Sequence, residues 1–218
     1  VLLDTLEGAS TRELALLVRL KLATFIPISQ STIGDSMSDD RSSALRLVTP
    51  PASEPVTLAQ AKTFLRIEHA ADDEAVTRAI AAARVAAEQY LRQALLPQTF
   101  DFIQANPCPT QVQLPQGPAQ SIASVTLTNE DGATSTVNAA NYRLSVDGFT
   151  VFFDPSIDTE KVTVRYVAGM AATVSDIPAM IVQGILHHVA TIVEQRDGAA
   201  PMPMQSVACY QPYRRVSL

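Results

Sequence analysis

The chain has 218 residues, 47% of them apolar, enough to bury the core of one compact domain with or without a small subdomain. It has no Trp and only 6% aromatic residues, so that core must rest on Ala, Leu, Val and Ile. A formal net charge of −6 argues against a protein built mainly to grip DNA phosphates.

Taken from the N-terminus, the first apolar stretch is Leu14 to Ile28. Arg19 and Lys21 interrupt it and Pro27 lies near its end, so it does not read as a membrane span. Asp4 and Glu7 precede it, whereas a secretory signal opens with positive charge, so a cytoplasmic site of synthesis is expected. Met37 opens the run MSDDRSSALRLVTPP, which reads as an ordinary protein start followed by a flexible lead-in. Residues 1–49 are therefore expected to be an N-terminal extension, with 1–36 dispensable. The alternative for 1–36 is an amphipathic helix, Thr11 to Phe25, that binds a neighbour.

Pro50, Pro51 and Pro55 mark a linker, and the main domain is expected over 50–200. Its first helix is predicted over 57–67. Thr57 is a good N-cap, Gln60 completes a capping-box pattern, and Leu58, Ala61 and Leu65 share one face. A second helix is predicted over 72–96. Asp72, Asp73 and Glu74 suit a helix N-terminus, Val76, Ile80, Ala83, Ala87, Tyr90 and Ala94 form an apolar stripe, and Pro97 stops the run. Glu74–Arg78, Arg84–Glu88 and Glu88–Arg92 are opposite-charge pairs at i,i+4, each worth a few tenths of a kcal/mol on a solvated face.

From 98 to 168 the apolar period changes to two, as in Val125 and Leu127 or Val162, Val164 and Tyr166. Turn signals at Pro115-Gln116-Gly117-Pro118, Asp131-Gly132 and Asp147-Gly148 divide this stretch into roughly five or six half-buried antiparallel strands. A last helix is predicted over 177–196, with Asp176 as N-cap and Pro178 in the first turn. Ile181, Ile185, Val189 and Ile192 form its stripe, and Gly184 beside them permits close packing. Gly198 ends it, and Pro201 and Pro203 open an extended C-terminal arm over 201–218. The fold class is α+β: a helical bundle of about three core helices, an inserted small antiparallel β subdomain, and the arm.

Candidate chemistry is sparse, and no catalytic, metal or cofactor residues are assigned. Cys108 and Cys209 lie far apart and read as free thiols. His187 and His188 with Glu194 and Asp197 are ligand-type residues, but adjacent helical histidines diverge by about 100°, and no HExxH is present. Asp154, Asp158 and Glu160 do not match a calcium loop and read as a surface turn. No GxSxG, GxGxxG or GxxxxGK[ST] occurs. The tail instead mixes Tyr213, Arg214, Arg215, Val216 and Leu218, residue types suited to anchoring in an acidic partner groove.

Several stretches resemble the phage head–tail connector family in that family's order: PVTLAQAKTFLRIEHAADDEAVTRAIAAARVAAEQYLRQALLPQTF, LPQGPAQSIASVTLTNEDGA, NYRLS, VTVRYVAGM, IPAMIVQGILHHVATIVEQRDG and the closing PYRRVSL. Together they span nearly all of 50–218. The resemblance implies a non-enzymatic adaptor of the neck of a phage or gene transfer agent. It would form a ring, commonly of twelve copies, beneath the portal protein, retain DNA that passes through the lumen without sequence-specific binding, and offer a platform to stopper or tail-terminator proteins. No membrane partner is implied. In similar adaptors the C-terminal arm docks into the portal, which points here to Tyr213, Arg214, Arg215, Val216 and Leu218. Arg78, Arg84, Glu88 and Arg92 are the expected inter-subunit residues, on the face left free by packing of the second helix. The alternatives are another neck component, such as a stopper or tail-completion protein, a metal-dependent hydrolase, and a helical DNA-binding regulator.

Overall fold

Thr57 builds the first helix boundary. Its hydroxyl accepts the Gln60 N–H at 3.2 Å while the Gln60 side chain accepts the Thr57 N–H at 2.9 Å, and α1 runs Leu58–Leu65. The computed structural model from which this geometry is read describes residues 42–195 and 201–215. Expectations for 1–36, Asp197, Gly198, Val216 and Leu218 lie outside the described residues.

The helix α2, Asp73–Leu91, stops five residues short of the predicted end. Arg92 takes a left-handed conformation (φ 56°), and its N–H and that of Gln93 both close on the Glu88 carbonyl. This costs about 1–2 kcal/mol for a residue with a Cβ, and it turns Ala94–Leu96 into the junction between helices and sheet. There the Ala94 N–H donates to the Gly117 carbonyl, and the Ala94 carbonyl accepts from the Met170 N–H.

The β region holds seven strands among the described residues, β2 Gln98–Ala105, β3 Gln111–Gln113, β4 Ala119–Thr128, β5 Thr134–Thr136, β6 Tyr142–Leu144, β7 Thr150–Phe153 and β8 Lys161–Ala168. An eighth, β1, covers Ser43–Thr49. These residues were expected in the flexible extension over 1–49. Instead Ser43 to Thr49 pair antiparallel with Gln104 to Thr99 of β2.

Two antiparallel sheets result, one in the order β1-β2-β8-β4-β5 and one in the order β3-β7-β6. Period-two side chains from both meet in one core: Phe100, Phe102, Val125, Val162, Val164 and Tyr166 against Val112, Val151 and Phe153. Gly148 turns β6 into β7 at φ +73°, where a Cβ would lie 2.8 Å from the Ala119 carbonyl.

The third helix, α3, spans Ala179–Gln195, and Ile181, Ile185 and Val189 are buried against Val76, Ile80, Ala83, Ala87 and Leu91 of α2. Asp176 does not cap α3. Its carboxylate accepts from the N–H and hydroxyl of Thr173 in a preceding 3-10 turn.

The arm over 201–218 is not extended throughout. Met204–Tyr210 form a fourth helix, α4, followed by a 3-10 turn Gln211–Tyr213. Tyr210 is fully buried, and the Ser206 hydroxyl donates to the Gly184 carbonyl at 2.7 Å. The architecture is α+β, with four described helices around one core and a β sandwich around a second.

Candidate assembly surfaces

The charged residues of α2 divide sharply by location. Arg78 is exposed and pairs with Glu74 on the surface. Arg92 is exposed at the left-handed turn. Arg84 and Glu88, expected on a free inter-subunit face, are instead 7% and 6% exposed. Arg84 donates to Glu88 at 2.9 Å and to Glu54 at 2.8 Å. The other Glu88 oxygen accepts from the Leu95 N–H at 2.9 Å and from Gln98 at 2.7 Å. Their face of α2 abuts the junction, so the pair ties helix, linker and β2 together within the subunit. Burial pushes the Glu88 carboxyl up from its ordinary range; the Leu95 N–H, Arg84 and Gln98 only partly offset this.

A sequence reading could not separate this pair from Glu74–Arg78. Both have i,i+4 spacing, and only the packing of Pro55, Val56 and Leu95 around α2 distinguishes them. Glu54 and Gln98, which complete the cluster, carried no local signal.

The tail residues proposed for docking begin attached to their own subunit. The Gln93 amide donates to the Tyr213 carbonyl at 2.7 Å, and the Arg215 N–H donates to the Leu91 carbonyl at 3.1 Å. The Arg214 guanidinium lies 5.0 Å from the centre of the Tyr90 ring, and that of Arg215 lies 3.5 Å from the centre of the Phe149 ring. Asp147 beside Phe149 is held below the usual carboxylate range, chiefly by the Ser145 hydroxyl and the Phe149 N–H, with the Arg215 charge adding to them. A deletion of 210–218 therefore cannot leave the fold untouched, because it removes buried Tyr210.

The metal candidates are not brought together. His187 contacts Phe64 edge-on, with ring centres 5.4 Å apart, and lies 3.1 Å from the Gln183 amide nitrogen, while His188 is buried. Among the described residues no group of three or more His, Cys, Asp or Glu is placed to hold a metal ion. Asp158 and Glu160 line an open surface cavity together with Glu130 and Asp131, and Asp154 is exposed. Cys108 and Cys209 remain thiols. Among the described residues no helix is long and apolar enough to cross a membrane.

The geometry is thus one of packing surfaces and a tail segment anchored through Tyr210, Tyr213 and Arg215. The family model described as phage gp6-like head-tail connector protein matches residues 55–147. This stretch belongs to the head-tail connector family. It takes in α1, α2 and β2 to β6. The fold of the chain is also that of chains in solved gene transfer agent (GTA) structures. One is a chain of the neck of an empty GTA particle, computed with C6 symmetry, with a TM-score of 0.68 at 24% identity, covering 80% of this chain and 97% of that one. A chain of the virion of a native GTA particle gives 0.67 at 24% identity, covering 80% and 96%. A chain of the neck of a native GTA particle, computed with C12 symmetry, gives 0.64 at 24% identity, covering 80% and 97%. No curated protein matches in sequence.

Proposed function

We propose that this chain is a head–tail connector, a structural, non-enzymatic subunit of the neck of a tailed phage or gene transfer agent. It assembles as a ring, of about twelve copies by analogy with such necks, beneath the portal protein. There it retains packaged DNA and gives stopper or tail-terminator proteins a platform. The observation that carries the reading is the connector-family match over 55–147 on a fold shared with almost the whole length of GTA neck chains.

The net charge of −6 suits a lumen that lets a duplex pass without holding it. In this reading Arg78 and Arg92 contribute to contacts with neighbours, whereas Arg84 and Glu88 hold the subunit together. The C-terminal arm docks on the portal. Tyr213 and the Arg215 backbone fix its starting point, and exposed Arg214 with Val216 and Leu218 supplies contacts.

Electron microscopy of particles carrying an internally tagged chain tests this. Label at the head–tail junction, together with tailless heads that lose DNA when the chain is absent, is the expected result. Label on the shell, on the tail shaft or in no particle would overturn it, and label one ring below the portal-contacting layer would favour a stopper.

A further inference from the structure

Arg215 stands at the seam between bundle and sandwich, and both its backbone and its side chain are engaged inside the subunit. Its N–H reaches the Leu91 carbonyl at 3.1 Å, one of the carbonyls that the end of α2 leaves without a helical partner. Its guanidinium lies 3.5 Å from the centre of the Phe149 ring, within the range in which a cation is drawn to an aromatic face. Phe149 is buried, and its ring also lies against Gly117, where even a Cβ would come within 2.5 Å of it. The Gly117 carbonyl in turn accepts the Ala94 N–H just beyond α2. Arg214, one residue earlier, is exposed. The two arginines of the tail therefore differ: Arg214 is open to a partner, whereas Arg215 is held by its own subunit.

Phe149 closes the turn from β6 to β7, and that turn is braced from within. The Ser145 hydroxyl donates to Asp147 and accepts from the N–H groups of Phe149 at 3.2 Å and Thr150 at 2.9 Å. Asp147 also accepts the Phe149 N–H at 3.1 Å, and the Arg215 charge helps to hold its carboxylate ionised. The Gly148 N–H donates to the Ser145 carbonyl at 3.0 Å, and the Gly148 carbonyl accepts the Ala119 N–H at 2.7 Å. At the tip stands Val146, fully exposed, the most exposed large apolar side chain among the described residues. A lone valine on a surface needs no explanation. One fixed at the tip of a braced turn, beside the root of the arm, is a contact ordered before any partner arrives.

Chain length limits what can share a surface with the arm. Three extended residues span at most about 11 Å. A partner that engages Val216 and Leu218 must come that close to Arg215, and so to the turn beneath its guanidinium. The acidic turn from β4 to β5, with Glu130 and Asp131, is remote from it. Gly148 bonds Ala119 at the start of β4, whereas the acidic turn follows Thr128 at the other end of that strand, roughly 30 Å away.

We propose that the β6–β7 turn, with Val146 at its tip, is part of the surface that meets the portal protein, and that Arg215 is a positioning residue tying the root of the docking arm to that turn. The inference rests on the docking role given to the arm above, and it sets which end of the subunit faces the portal. That end holds Leu91, Gly117 and Phe149, and the β4–β5 turn points away from it. The chemistry of the partner surface follows from what is displayed: a carboxylate for Arg214 and a shallow apolar pocket for Val146.

The test is photo-cross-linking in assembled particles of the full chain, with benzoylphenylalanine in place of Val146, Leu218 or Asp131 in turn. Adducts with the portal are expected from positions 146 and 218 and not from 131. An adduct from 218 without one from 146, or an adduct from 131, would overturn the shared surface while leaving the docking of the arm. No adduct from either 146 or 218 would overturn both. Val146→Asp should lower incorporation into particles about tenfold at an unchanged unfolding midpoint, because the side chain it replaces is fully exposed. Arg215→Gln should lower incorporation by a similar factor, and Arg215→Lys, which keeps a cation over the ring, should restore most of it. Equal losses for the two Arg215 variants, the mark of a guanidinium that forks a partner carboxylate, would overturn the positioning role.

Discussion

The helical bundle and the β sandwich each contain an arginine–carboxylate pair, and the two pairs sit in opposite environments. In the bundle, the Arg84 and Glu88 side chains are each 8% exposed and share their remaining atoms with Glu54, Gln98 and the Leu95 N–H. In the sandwich, Arg165 grips Asp101 with two bonds of 2.7 Å, but its side chain is 49% exposed. The chemistry is the same, yet water competes for only one of them. A buried pair adds little net stability when whole and costs much when halved, because the survivor stays desolvated. An exposed pair costs little either way. The bundle cluster therefore acts as a joint that specifies how linker, α2 and β2 meet, while the sandwich pair trims the surface of a sheet already held by its apolar core.

The largest effect should come from Glu88→Ala, which leaves Gln98 and the Leu95 N–H without their acceptor and Arg84 with Glu54 alone; about 3–5 kcal/mol should be lost in urea unfolding. Tyr210→Ala should cost a similar ~3–5 kcal/mol, since a fully buried ring on the bundle core is removed. Limited proteolysis should then cut after Pro203 before it cuts the sandwich. Gly184→Val should cost about 1–3 kcal/mol by overpacking, because even a Cβ would sit 2.4 Å from the Tyr210 ring. On the proposed docking role, removing 216–218 should abolish attachment to portal-bearing heads, read as tailless heads in electron micrographs.

Acid titration sharpens the contrast with opposite signs. Arg165 holds Asp101 below its ordinary value, so its contribution is present above the unfolded value near 3.8 and fades as pH falls through the lower folded value. Glu88 is raised, so its contribution is present below its unfolded value near 4.5 and fades as pH rises through the higher folded value. Asp101→Asn should flatten the loss of stability as pH falls below the unfolded value near 3.8. The smallest effect belongs to Arg165→Ala, which should barely move the urea midpoint because water already competes for that pair. Equal losses for Glu88→Ala and Arg165→Ala would break the comparison.

Local sequence made much of the fold legible. The Thr57–Gln60 box is closed by local hydrogen bonds, and period-two alternation and turn glycines near 98–168 express backbone geometry that neighbouring residues dictate. The stripe Ile181, Ile185 and Val189 is buried because one face of a helix repeats every three to four residues. The assembly surfaces were harder to read. Arg84 and Glu88 looked like surface residues, and the proline-spaced tail hid a helix keyed into Gly184.

Sequence alone determined the helices that start after Thr57 and Asp72, the helix over Ala179–Gln195 and the strand character of 98–168, since these depend on patterns within reach of a few residues. Tertiary structure alone decided that Ser43–Thr49 joins the sheet, that one ion pair of α2 is interior, and that the tail is pinned through Arg215. Those outcomes depend on partners 30 to 124 positions away, as in Arg84 with Glu54 or Arg215 with Leu91. Burial by a distant segment, which no local spacing encodes, sets the energy of each.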